Sequence, residues 1–102
     1  MNTDAIIAHA RARFDHAAAK RILKEKYQGK LTFAYNGGMF KATPELIVFL
    51  QSCETEIEVV LTDLYDNPIK ANVQTLRTLV QQRYREQMNA WLVEYDELNK
   101  NR

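Results

Sequence analysis

From Leu76 to Leu98 an apolar or aromatic residue returns every third or fourth position: Leu76, Val80, Tyr84, Met88, Trp91, Tyr95 and Leu98, with Leu79 and Leu92 beside them. That is the period of an amphipathic helix. Begun at about Asn72, such a helix runs for roughly 26 residues and, at about 1.5 Å per residue, spans ~39 Å. A compact chain of about 100 residues has a radius of gyration near 13 Å and hence a diameter of roughly 35 Å. The helix is therefore expected to overrun the body it packs on. The overhang carries Trp91, Leu92 and Tyr95, and large aromatics are enriched in interface cores. Tyr84, Met88, Trp91, Leu92 and Tyr95 thus form a candidate interface, most simply with a second copy of the chain. The competing expectation is that the helix lies across a sheet and buries these side chains in its own core.

The other segments are shorter. Residues 3–27 read as a first helix, with Thr3 or Asp4 as its cap and Ile7, Ala10, Phe14, Ala17 and Arg21 on one stripe, widened by Ile6, Ala18, Ile22 and Leu23. Gly29 stands where a helix-ending glycine belongs. In KLTFAY, Leu31, Phe33 and Tyr35 alternate with Thr32 and Ala34, the period of a half-buried strand. Asn36-Gly37-Gly38 supplies positive φ at low cost, and GMFKA returns as the partner strand. No Lys-Ser/Thr pair and no helix follows those glycines directly, so they make a hairpin turn rather than a phosphate-binding loop.

Thr43-Pro44-Glu45 combines a hydroxyl cap, a first-turn proline and an acid at the positive helix end. A short helix over residues 44–53 follows, although Ile47, Val48 and Phe49 suit a strand equally well. EIEVVLTDLY alternates again, with Ile57, Val59 and Leu61 on one side; Asp66-Asn67-Pro68 turns the chain and IKANV returns. The closing DELNKNR is polar and expected to fray.

The net charge is only +1, but it is unevenly distributed. Residues 1–30 hold seven Lys/Arg against three Asp/Glu, whereas residues 42–69 hold six acids and no Lys or Arg. Such a split suits a basic nucleic-acid patch, or head-to-tail assembly of a basic face on an acidic one, as well as merely solvated surfaces. No apolar run approaches the roughly 20 residues of a membrane span, and the N-terminal stretch lacks a signal-peptide core. A cytoplasmic protein without a membrane partner is the expectation.

Chemistry-bearing constellations are sparse. The single cysteine, Cys53, rules out an internal disulfide and reads as a small buried hydrophobe. His9 and His16 lie two helical turns apart, about 10 Å, too far to share a metal. Glu54, Glu56 and Glu58 recur every second residue, as on one face of a strand, where a solvated face is the plainer reading than a weak cation site. No metalloprotease, serine-nucleophile or nucleotide fingerprint is present. No catalytic residue, metal or cofactor is implied. The basic residues Arg11, Arg13, Lys20, Arg21, Lys24, Lys26 and Lys30 are spread around the first helix, Arg13, Lys20 and Lys24 sharing one side.

Two resemblances extend this reading. NGGMFKATPELIVFL, YDNPIKAN and QMNAWLVEYDEL together resemble small proteins encoded by contractile-tailed phages of marine cyanobacteria. That likeness implies a virion, assembly or host-interaction protein in an infected bacterial cytoplasm. VLTDLYDNPI is similar to the strand-turn-strand of Sm-like RNA-binding proteins, with Asp63 and Asn67 at that family's interval. The likeness implies an N-terminal helix and a five-stranded small barrel, with residues 46–52 as a strand, and Asp63, Tyr65 and Asn67 lining a base pocket in a ring. Pro68 and the missing glycine-bearing second motif depart from that pattern, and Asp63 and Asn67 have a plainer use as turn residues.

The fold expected is α+β: N-terminal, short central and long C-terminal helices on one antiparallel sheet of two hairpins. The alternative is an Sm-like or SH3-like small barrel with flanking helices. The expected function is non-enzymatic assembly or interaction through self-association. The alternative is an RNA-binding module using Lys20, Lys24 and Lys26 with Asp63, Tyr65 and Asn67.

Overall fold

The computed structural model describes residues 3–100 and has the α+β class expected. In chain order it comprises α1 (Thr3–Lys30), β1 (Thr32–Tyr35), β2 (Gly38–Lys41), α2 (Pro44–Ser52), β3 (Glu58–Thr62), β4 (Pro68–Asn72) and α3 (Val73–Lys100). The molecule measures 68 × 24 × 19 Å. A small head holds both hairpins and α2, and α1 and α3 leave it side by side as an antiparallel helical arm.

Each hairpin is built by its turn. Asn36 and Gly37 both take positive φ, 48° and 84°, as a two-residue turn matched to strand twist requires. Phe33 then faces Phe40 across the β1–β2 pair. Gly38 answers to space rather than to φ: a Cβ there would sit 2.8 Å from Ile69 Cγ1 and 3.2 Å from Asp63 Cβ. In the second hairpin Val59 pairs with Ala71 and Leu61 with Ile69. The five-residue turn between β3 and β4 closes on Asp63, whose N–H donates to the Asn67 carbonyl at 3.0 Å.

The two hairpins remain separate two-stranded sheets, not the single sheet expected. Four bonds stitch them instead. The Met39 N–H donates to Asp63 Oδ2 and the Leu64 N–H to the Met39 carbonyl. The Asn36 amide donates to the Lys70 carbonyl, and the Asn72 N–H to the Tyr35 hydroxyl. Gly38 lets β2 approach close enough to the second hairpin for this. The Sm-like barrel is also not formed, because its required strand at 46–52 is helical. Thr43 Oγ1 accepts the Leu46 N–H at 3.2 Å and Pro44 sits in the first turn. That cap decides a segment whose Ile47, Val48 and Phe49 suit a strand equally well.

The core lies where both hairpins and α2 meet the first half of α3. Leu31, Phe33, Phe40, Ala42, Leu50, Ala71, Leu76 and Val80 are buried together, with Leu46, Ile47, Leu61, Ile69 and Tyr84 packed on them. Asn72 Oδ1 caps α3 through the Thr75 N–H at 2.9 Å. Ile57, expected to face inward with Val59 and Leu61, is exposed, and Glu54 and Glu56 precede the strand rather than share its face with Glu58. Cys53 is half-buried rather than buried.

Both long helices depart from their expected ends and faces. α1 passes through Gly29 to Lys30, because Tyr27 is buried against α3 and Leu31 N–H still donates to the Tyr27 carbonyl. Residues Asp96–Lys100 are helical instead of frayed, while Asn101 and Arg102 lie outside the described residues. The α1 stripe Ile7–Ala10–Phe14 does not face α3. His16, Ala19, Leu23 and Tyr27 do, beside Trp91, Glu94 and Leu98. At about 100° per residue that set lies roughly opposite the apolar stripe. The Tyr27–Trp91 stack sets which side of α1 meets α3, and the Ile7–Phe14 stretch precedes the part of α1 that α3 covers. Phe14 is left 73 % exposed, and every described residue up to Asp15 is exposed.

Candidate interaction surface on the helical arm

The arm is held by one stack and one charged cluster. Tyr27 and Trp91 are stacked with near-parallel rings, centroids 6.3 Å apart and planes 8° from parallel. Lys26 Nζ meets Glu94 Oε1 at 2.8 Å and Oε2 at 3.1 Å. The Lys26 hydrogen bond, with help from the Tyr27 hydroxyl, holds the Glu94 carboxyl below its ordinary range. The same hydrogen bond raises Lys26. Burial, then the Glu94 contact, pushes the Tyr27 phenol up. The Nζ atoms of Lys26 and Lys30 also stand over the Tyr27 ring at 5.2 and 5.3 Å. Trp91 is therefore pinned on one face before any partner arrives.

Beyond that stack Met88, Trp91, Leu92 and Tyr95 line an apolar recess of about 240 Å³. These are four of the five residues read as an interface. The fifth, Tyr84, packs on the core of the head. Leu92 is 57 % exposed, whereas Met88, Trp91 and Tyr95 are half-buried. Helical period alone aligned these residues; that α1 covers only one side of them is a tertiary fact.

Tyr95 also belongs to a neighbouring basic groove. Arg13, His16, Lys20, Arg21 and Lys24 from α1 line it opposite Tyr95 and Asn99. Lys20 Nζ stands 5.8 Å from the Tyr95 ring centroid. Lys20 and Lys24 thus come together as the nucleic-acid reading requires, but Lys26 does not join them, being turned to Glu94.

Asp63, Tyr65 and Asn67 sit elsewhere, in the turn of the second hairpin. Asp63 is buried and its carboxylate is fully engaged: Oδ1 accepts the N–H groups of Tyr65 and Asn67, each at 2.9 Å, and Oδ2 accepts that of Met39. Those backbone donors, Asn67 foremost, hold its carboxyl below the ordinary value. Asp63 is a turn and docking residue, which sequence spacing could not distinguish from a base reader. Tyr65 is exposed on that turn.

Among the described residues no three His, Cys, Asp or Glu side chains come together as a metal site. No described helix is long and apolar enough to cross a membrane. No protein family matches the chain, and no curated protein or solved structure resembles it at a significant level.

Proposed function

We propose that this chain is a non-enzymatic assembly or interaction protein that self-associates through its helical arm. The observation that carries the reading is the recess of Met88, Trp91, Leu92 and Tyr95, open beside a tryptophan already immobilised on Tyr27. A preorganised aromatic wall loses little freedom when a partner covers it. On the likeness to proteins of contractile-tailed phages, the setting proposed is virion assembly or host interaction in an infected bacterial cytoplasm. Light scattering behind a sizing column, over a concentration series, tests the reading. The wild type should associate, and Leu92→Ala with Met88→Ala should weaken association at unchanged circular dichroism. A wild type that stays monomeric throughout rejects it. Trp91→Ala is a poor probe, since it also removes the stack that holds the arm.

A second reading, binding of RNA or another polyanion, is favoured by the cationic groove of Arg13, Lys20, Arg21 and Lys24 beside Tyr95. Bases stack on aromatics while phosphates attract such a row, and binding of that kind weakens steeply with salt. Nucleic acid co-eluting at low salt and stripped at high salt would support it.

A further inference from the structure

Resting on the self-association reading, we infer that the arm recess receives the outward face of α2 from a second copy, so that copies join head to arm. α2 turns Leu46, Ile47 and Leu50 to the core of its own head. At helical spacing Glu45, Val48, Phe49 and Ser52 therefore share its outward side, and all four are exposed. Two apolar side chains there, Val48 at 63 % and Phe49 at 42 % exposure, have no core to enter. Acids border them: Glu45 in the first turn, then Glu54 and Glu56 in the exposed segment after the helix. Glu58 is already bound to Lys70 at 2.9 Å and does not count among them. No Lys or Arg lies anywhere in residues 42–69.

The recess carries the matching pattern with opposite sign. Its apolar floor adjoins Tyr95, across which Arg13, Lys20 and Lys24 form a basic border. An apolar patch bordered by acids fits an apolar recess bordered on its Tyr95 side by bases, and such complementarity fixes partner and register. A copy cannot satisfy its own recess, because α2 is anchored by its inner face near Leu76 and Val80, while the recess begins two helical turns further along α3. Recess against recess is opposed by charge, since it would bring Arg13, Lys20 and Lys24 of one copy toward the same residues of the other. The contact is therefore heterologous, and repetition of it closes a ring or propagates a chain.

Two exposed-site variants test this by light scattering. Leu92→Asp spoils the recess and keeps the α2 face; Phe49→Asp does the reverse. Each alone should be monomeric with wild-type circular dichroism, and a 1:1 mixture should give a discrete dimer, because one good surface of each kind remains. Independently, Lys20→Glu with Lys24→Glu should weaken assembly by about tenfold or more, and Glu45→Lys with Glu54→Lys should restore it in the same chain. A Phe49→Asp protein that assembles like the wild type, or a mixture that stays monomeric, overturns the head-to-arm contact while leaving self-association standing. A wild type that never associates removes both readings. Nucleic acid that co-elutes and is lost on Lys20→Glu and Lys24→Glu, with no response to Phe49→Asp, overturns the contact in favour of phosphate binding.

Discussion

Asp63 Oδ2 accepts the Met39 N–H at 3.0 Å, and with the Leu64 N–H donating to the Met39 carbonyl it joins the turn of the second hairpin to the return strand of the first. The other carboxylate oxygen holds the turn itself. A single buried acid thus fixes a local loop and a contact between two sheets that share no ladder.

Because those donors depress the folded-state carboxyl below its ordinary 3.8, the stabilisation is present above that value and lost as pH falls through the lower folded one. Denaturation followed across pH 2–7 should show wild-type stability falling through the acid limb, with Glu94 contributing in the same direction. Asp63→Asn should be less stable at neutral pH and should show a shallower acid limb. An unchanged limb would mean that ionisation of Asp63 contributes nothing to stability.

Gly38 marks where β2 passes closest to Ile69 and Asp63. Gly38→Ala is expected to cost about 1–3 kcal/mol by overpacking. Ile69→Val removes the Cδ1 atom that lies 3.0 Å from the added carbon, so the double variant should recover some of the loss. Urea titration of the three proteins provides the cycle, and strict additivity would argue against the clash.

Leu76 is fully buried, whereas Leu92 stands on the open side of the same helix. Leu76→Ala should lose about 2–5 kcal/mol of folding stability. Leu92→Ala, measured under monomeric conditions, should stay within about 0.5 kcal/mol of wild type. Comparable losses at both positions would show that the recess is filled from within the chain.

The first turns of α1 run beyond the cover of α3, and an isolated helix of about 13 residues is marginal in water. Amide exchange should be fast from Thr3 to Asp15 and slow around Tyr27, which the Trp91 stack protects. Uniform protection along α1 at monomeric dilution would contradict this.

Local chemistry made much of the head legible. Asn36-Gly37 specified a hairpin, and Thr43-Pro44-Glu45 specified a helix start. The 3–4 period from Leu76 to Leu98 specified α3, because caps, positive φ and amphipathic period act over a few residues. The position of Trp91, Leu92 and Tyr95 near a shared surface followed from the same period. Which side of that surface stays open did not, nor did the companion face of α1. Ile7, Ala10 and Phe14 carry the stronger apolar signal, yet His16, Ala19, Leu23 and Tyr27 face the partner helix. That choice depends on Leu23 and Tyr27 meeting Glu94 and Trp91, a relation between segments some seventy residues apart. Tertiary structure likewise assigned Asp63 to Met39, paired Lys26 with Glu94 and left Val48 and Phe49 outside, because each outcome depends on which neighbour the fold brings within bonding distance.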